Sequence, residues 1–258
     1  MMAIHPTAIV HPSARLAADV DVGPYSIIGE HVEIDSGTVI GPHVVINGHT
    51  SIGKQNQFYQ FCSIGEANQD KKYKGEPTRT VIGDHNVFRE CCTVHRGTTQ
   101  DRHETRIGSH NLFMAYVHVA HDCVVADHCI LANNATLAGH VHIGEWAILG
   151  GFTAVHQFCH IGAHAFIGMK SGLQKDVPPY VMAEGFHAEP RGINSEGLKR
   201  RGFTPEQILL IKRAYKLIYR QGLTVEQAVP QLREMEAEFA GLRILTDFIA
   251  NSNRGIIR

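Results

Sequence analysis

Residues 118–157 read HVAHDCVVADHCILANNATLAGHVHIGEWAILGGFTAVHQ, and an aliphatic side chain returns at every sixth position: Val119, Val125, Leu131, Leu137, Ile143, Leu149 and Val155. Two positions ahead of each stands a small or slim residue, Val117, Cys123, Cys129, Ala135, Val141, Ala147 and Thr153. Side chains two apart share one face of a strand, so each pair marks a short strand with an inward face. A six-residue period then requires the chain to turn a corner after every strand. This predicts a parallel β-helix, in which each coil buries its inward side chains by stacking on the next. With three such strands to a coil, His121, Gly139 and Gln157 fall in one column, about 4.8 Å apart by strand spacing. Asp122 and His140 form the next column, Ala138 and His156 the one before. An imidazole, a carboxylate and polar neighbours gathered at one corner suit proton transfer.

Working outward, the same frame runs unbroken from Ile4 through Val10, Leu16, Val22, Ile28, Ile34, Ile40, Ile46, Ile52 and Phe58 to Ile64. Glycines follow several of these positions, as in Ile28-Gly29 and Ile40-Gly41, where a corner favours a residue free of side-chain clash. The frame lapses over GEANQDKKYKGEPTRT, resumes at Ile82, Phe88 and Val94, lapses again over HRGTTQDRHETR, and then holds from Ile107 to Leu173. The two lapses, about 65–80 and 95–106, read as loops thrown out from a rigid scaffold, where function tends to sit. Residues 1–190 are thus expected to form the β-helix, and residues 191–258 an α-helical domain. Asp176-Val177-Pro178-Pro179 ends the repeat, and a connecting segment leads to Thr204-Pro205-Glu206-Gln207, which has the form of an N-cap with a capping box. Further helices are expected from Thr224 and over Ile244 to Ala250. They would cover the open end of the solenoid.

The 258 residues carry 24 basic and 25 acidic side chains and 43% apolar residues. This balance suggests neither a nucleic-acid partner nor an anionic membrane surface. No apolar run is long enough for membrane insertion, and a repeat beginning at Ile4 leaves no room for a signal peptide, so a cytoplasmic protein is expected. Five of the six cysteines, Cys62, Cys92, Cys123, Cys129 and Cys159, occupy inward positions and read as packed core thiols, while Cys91 should face outward. Neither an exposed cysteine or serine nucleophile beside a base nor a metal site is indicated. His140 and His142 stand two apart and could face alike, but as ligands they are a weak pair. Three flat outer faces invite self-association, for which threefold symmetry is the natural form.

The motifs IGEANQDKKYKGEPTRT, HVAHDC, LANNATLAGHV, TAVHQFCHIGAH, DVPPY and NSEGLKRRGF, in that order, closely resemble the bacterial acyl-carrier-protein-dependent UDP-N-acetylglucosamine O-acyltransferases of lipid A synthesis. The resemblance implies a left-handed parallel β-helix and a homotrimer with active sites in the clefts between subunits. It implies transfer of an (R)-3-hydroxyacyl chain from the phosphopantetheine of acyl carrier protein to the 3-hydroxyl of UDP-N-acetylglucosamine, with no other cofactor. His121 matches the family's catalytic histidine, Asp122 would hold its tautomer, and the Gly139 amide would face the developing oxyanion. Asp70, Lys72, His118 and His140 would contact the acceptor sugar, and His156 and Gln157 would lie in the nucleotide region. Asn194, Glu196, Arg200 and Arg201 would hold uridine and diphosphate. Met169 stands where some members of the family carry glycine, which implies a shortened acyl groove. Lys199, Arg200 and Arg201, with Lys212, Arg213, Lys216 and Arg220, would offer an acidic carrier a basic surface. The alternatives are the related hexapeptide N-acyltransferase and, from another class, a zinc hydratase of the γ-carbonic anhydrase type. The zinc hydratases' two histidines five residues apart have no counterpart in this chain.

Overall fold

The computed structural model describes residues 3–258. From Ala3 to Leu173 short strands are dealt in strict rotation to three sheets of parallel strands. The first sheet opens with Ala3–Ile4, Asp21–Val22 and Val39–Ile40, the second with Ile9–Val10, Ile27–Ile28 and Val45–Ile46, and the third with Arg15–Leu16, Val32–Ile34 and His49–Ile52. Each strand pairs with its counterpart one coil away, as Val119 does with Leu137 and Leu137 with Val155. This is the predicted β-helix, and its register is that of the six-residue period.

Both members of each inward pair are buried. From Val117 to Leu149 none of the twelve residues that begin with Val117, Val119, Cys123 and Val125 and end with Ala147 and Leu149 exceeds 2% exposure, so the interior of these coils is packed without polar side chains. Identical positions stack on one another: the rings of Phe58, Phe88 and Phe113 lie parallel, with centroids 4.8 and 4.5 Å apart. The five inward cysteines are buried as expected, and Cys91 is half-exposed. The left-handed backbone positions are mostly taken by residues such as His43, Asp122, His140 and Phe152. The glycines that follow the aliphatic positions avoid a side-chain clash, as expected. A Cβ on Gly41 would stand 2.8 Å from the Phe58 carbonyl oxygen of the adjoining coil, so it is close approach that excludes a side chain there.

Both lapses leave the same edge of the coil. The first departs from Ser63–Glu66 in the second sheet and returns as Arg79–Ile82 in the third; the second departs from Thr93–His95 and returns as Glu104–Ile107. Phe58 still pairs with Phe88, and Phe88 with Phe113, so the excursions lengthen the sequence between coils without disturbing the stack.

Beyond the last coil, the connecting segment holds more structure than its sequence suggests. Val181–Glu184 and Glu189–Ile193 form an antiparallel hairpin on the first sheet, and a short helix α1, Ser195–Arg200, follows. The expected helices are α2, Pro205–Arg220, with the predicted threonine capping box, α3, Val225–Met235, which has a capping box of the same kind at Thr224, and α4, Arg243–Ala250. Their shared core of Leu198, Ile211, Leu217, Ile218, Leu232, Leu245 and Ile249 packs around Tyr180 at the end of the coils. No helix among the described residues is long and apolar enough to cross a membrane.

The phenylalanine stack gives the first test. Phe88 has neighbours on both faces and no exposure, so Phe88→Ala should destabilise the protein by about 3–5 kcal/mol. Urea unfolding of wild type and variant measures the difference, and a loss below about 1 kcal/mol would show that the coils close over the gap.

Candidate active site

The chain turns between the second and third sheets at Ala120–Cys123, and this turn presents His121 outward while Asp122 adopts a φ of +58° and points into the protein. The His121 Nδ1 lies 2.9 Å from Asp122 Oδ2. A carboxylate only accepts, so the ring donates through Nδ1 and Nε2 keeps a free lone pair. Asp122 is fully buried, which would be costly for an unpaired charge. It is not unpaired. The Thr98 amide donates to both oxygens at 3.0 and 3.1 Å, and the Thr98 hydroxyl donates to Oδ2 at 2.7 Å. Burial pushes the carboxyl up, but the bonds from His121, the Thr98 hydroxyl and the Thr98 amide, with His140 nearby, bring it below its ordinary value.

One coil along, Gly139 passes directly behind His121. A Cβ there would stand 2.5 Å from the ring's Cε1 and 2.7 Å from Nε2, so only glycine leaves room for the imidazole. His140 meets His121 edge to face with ring centres 5.0 Å apart, stacks on Phe158, and donates from Nδ1 to Asp101 Oδ2 at 2.8 Å. Its Nε2 lies 4.0 Å from Asp122 Oδ2. His118 is bonded to the Thr93 hydroxyl at 2.7 Å, and its pKa is lowered to about 4 by burial first and then by His95 and His121.

These groups line a cavity of about 620 Å³, which is completed by Asp70, Lys72 and Gln157. Seven predicted residues therefore converge there: His121, His118, His140, Asp70, Lys72 and Gln157 on its wall, with Asp122 behind them. His156 does not face it. Its Nδ1 lies 3.2 Å from Arg254 Nη2, and it borders a second, largely apolar cavity of about 290 Å³. The two cavities adjoin through Thr136 and Ala138.

Asn194, Glu196, Arg200 and Arg201 lie at a different corner, between the third and first sheets. Asn194 caps α1, accepting from the Gly197 amide and donating to the His164 carbonyl. Arg201 lies over the Trp146 ring at 5.2 Å and donates to the Trp146 carbonyl at 2.8 Å. Glu196 is ion-paired to Lys199, and Arg200 is exposed. Met169 is 65% exposed at the remaining corner, between the first and second sheets, and borders neither cavity. Sequence reasoning missed Thr98, Asp101 and Arg254. The lapse at 95–106 signalled the first two only as part of a loop, and Arg254 had no sequence signal.

A metal reading fares poorly on the same geometry. His121, Asp122 and His140 each offer an atom within 4.8 Å of the others, but Asp122 is already engaged by Thr98 and His121, and the His140 Nδ1 by Asp101. His142 stacks on His160 with centroids 4.5 Å apart and is not among the three residues that come together.

A stacked-coil scaffold with a histidine–aspartate pair at one corner defines a hexapeptide-repeat acyltransferase. Residues 104–139 match the bacterial transferase hexapeptide (six repeats), and residues 176–257 match the second domain of UDP-N-acetylglucosamine O-acyltransferase. The chain is 61% identical, over the full length of both, to the acyl-[acyl-carrier-protein]–UDP-N-acetylglucosamine O-acyltransferase of Pseudomonas entomophila. Two solved structures are similar throughout: the UDP-N-acetylglucosamine O-acyltransferase of Moraxella catarrhalis (48% identity, 99% of each chain, TM-score 0.98) and the enzyme of Francisella novicida (44%, 99% of this chain and 94% of the other, TM-score 0.97). The chain belongs to the acyl-[acyl-carrier-protein]–UDP-N-acetylglucosamine O-acyltransferase family, and its β-helix is left-handed, an exception to the usual right-handed crossover.

Two measurements follow from this geometry. Gly139→Ala should keep the fold and lose at least about tenfold in turnover through displacement of the His121 ring, which steady-state rates and a circular dichroism spectrum would check. His118, His142 and His164 all have pKa values lowered from 6.5 to about 4, with burial the largest cause in each case. The unfolded chain therefore binds protons at higher pH than the folded one, and the stability conferred by the neutral rings is complete above about pH 6.5 and lost as pH falls towards 4. The thermal midpoint should decline across that window, and His142→Gln should make the decline shallower; an unchanged slope would exclude a contribution from His142.

Proposed function

We propose that this enzyme transfers an (R)-3-hydroxyacyl group from acyl carrier protein to the 3-hydroxyl of UDP-N-acetylglucosamine, the first step of lipid A synthesis, in the cytoplasm. The observation that carries the mechanism is the His121–Asp122 hydrogen bond, which leaves Nε2 as an acceptor at the wall of the larger cavity. A sugar hydroxyl is too weakly acidic to attack a thioester unaided. His121 takes its proton as the oxygen bonds to the thioester carbon, Asp122 stabilises the imidazolium, and the carbonyl oxygen gains negative charge. The Gly139 amide is suited to meet that charge. Collapse of the intermediate expels the pantetheine thiolate, and the imidazolium returns a proton to it. The thiols of Cys62, Cys92, Cys123, Cys129 and Cys159 are buried, which favours direct transfer over an acyl-enzyme.

The acceptor's glucosamine ring fits against Asp70, Lys72, His118 and His140, with the nucleotide towards Gln157, while His156 borders the adjoining cavity. The acyl tail suits the adjoining apolar cavity, where Thr136, Ala154 and Gly172 stand in one ladder under the Phe186 ring. Asn194, Glu196, Arg200 and Arg201 lie at another corner of the same subunit, so their use on the nucleotide requires a second copy of the chain. This supports a homotrimer with its sites between subunits. An asparagine amide and an arginine offer more donors than Asn194 and Arg201 spend within the chain, so both can still bind phosphate or uracil groups. Met169 borders neither cavity of a single subunit, so it would end the acyl groove only where a neighbour closes over it. The basic groups of α2 suit the acidic carrier.

His121→Ala should retain the thermal midpoint and sugar-nucleotide binding but lose about 10³-fold or more in kcat, measured by acyl transfer from defined carrier proteins. Near-normal turnover would remove His121 as the base. Across donors of graded length, wild type should prefer a short 3-hydroxyacyl chain, and Met169→Gly should shift the preference by several carbons; an unchanged optimum would exclude Met169 as the stop.

A further inference from the structure

The reaction as proposed assigns no part to the second loop, yet that loop bonds to both Asp122 and His140 at the catalytic corner. Thr98 is 4% exposed, too deep to meet substrate, and it does not line the cavity. Its amide and hydroxyl nevertheless supply three of the four hydrogen bonds to Asp122. On the far side of the loop, the Thr105 hydroxyl accepts from the Asp122 amide at 2.9 Å, so loop and exit strand grip the same residue from both ends. The neck of the loop is closed: a Cβ on Gly97 would stand 2.3 Å from the Glu104 amide nitrogen, and the Asn68 side chain of the first loop donates to the Gly97 carbonyl. The backbone next to Thr98 is therefore fixed by packing as well as by the bonds to Asp122.

We propose that Thr98 is a positioning residue for acyl transfer, which acts through Asp122 to fix the orientation and proton affinity of His121. The physical reason lies in how a buried carboxylate shares its charge. Each donor to Asp122 disperses negative charge that would otherwise fall on the His121 N–H. Thr98 leaves the carboxylate basic enough to orient the ring and hold its tautomer, but not so basic that the imidazolium becomes too stable to return its proton. Removing the hydroxyl concentrates charge on the oxygen that faces His121, raises the proton affinity of the ring and loosens its orientation. The titratable and charged groups around His121 are Asp122, His140 with its partner Asp101, His95, His118 and, across the cavity, Asp70 and Lys72. Thr98→Val removes none of these groups and preserves side-chain volume and the amide donors.

The inference rests on His121 being the base, and the test separates the two claims. The acidic limb of the kcat/KM profile should move to higher pH by about half a unit or more in Thr98→Val, with kcat at pH 7 reduced about tenfold. The KM for UDP-N-acetylglucosamine should stay within about twofold, and Thr98→Ser should restore both limb and rate. In a His121→Ala background, Thr98→Val should have no further effect on the residual rate. If His121→Ala is inactive and Thr98→Val keeps the wild-type acidic limb, the positioning role is wrong while the base assignment stands. If His121→Ala turns over normally, the base assignment itself has failed. Should Thr98→Val not fold, Thr98→Ala and Thr98→Ser read the same limb; Ala and Ser limbs that coincide would overturn the proposal.

Discussion

Every strand in the coils pairs with a strand of the coil before or after it, never with one of its own coil, and this one constraint governs the molecule. The Val45 amide donates to the Cys62 carbonyl, the Ala138 amide to the Val155 carbonyl, and so on along the axis. Because pairing runs only between coils, each side chain stands on its counterpart one coil away. Phenylalanine therefore stacks on phenylalanine in the core and histidine on histidine at the corners, as in the parallel rings of His85, His110 and His128. A repeat of this kind has no stability apart from its neighbours, which is why its open end needs the helical domain.

The constraint also determines where the chain can depart from the repeat. A strand cannot lengthen without losing register, but a corner can release a loop provided the next strand lands in place. Both loops use the corner between the second and third sheets, one coil apart, and His121, His140 and Gln157 occupy that corner in the coils above. The first loop brings Asp70 and Lys72 to the cavity; the second brings Thr98 to Asp122 and Asp101 to His140. A rigid stack thus supplies the imidazoles, and the two excursions supply the groups that hold and surround them.

A triangular coil has three corners, and the residues matched to the family divide among all three. His121 occupies one, Arg201 beside Trp146 another, and Met169 the third. Corners of one coil face away from each other, so no bending of a single subunit unites them. The division is the physical argument for clefts between copies.

The six-residue period was enough to determine the β-helix, the inward face of nearly every residue from Ile4 to Leu173, and the column that joins His121, Gly139 and Gln157. Periodicity is a local property and the stack repeats it, so the sequence carries this information in full. The threonine capping box of α2 and the start of α3 at Thr224 were legible because they too are local. The hairpin and α1 were not, because their residues have no period and owe their form to docking on the last coil. Nor could spacing reveal which corner releases the loops, that Thr98 meets Asp122, or that Arg254 returns to His156 from the far end of the chain. Those contacts join residues far apart in sequence through irregular segments, and only the path of the folded chain in space decides them.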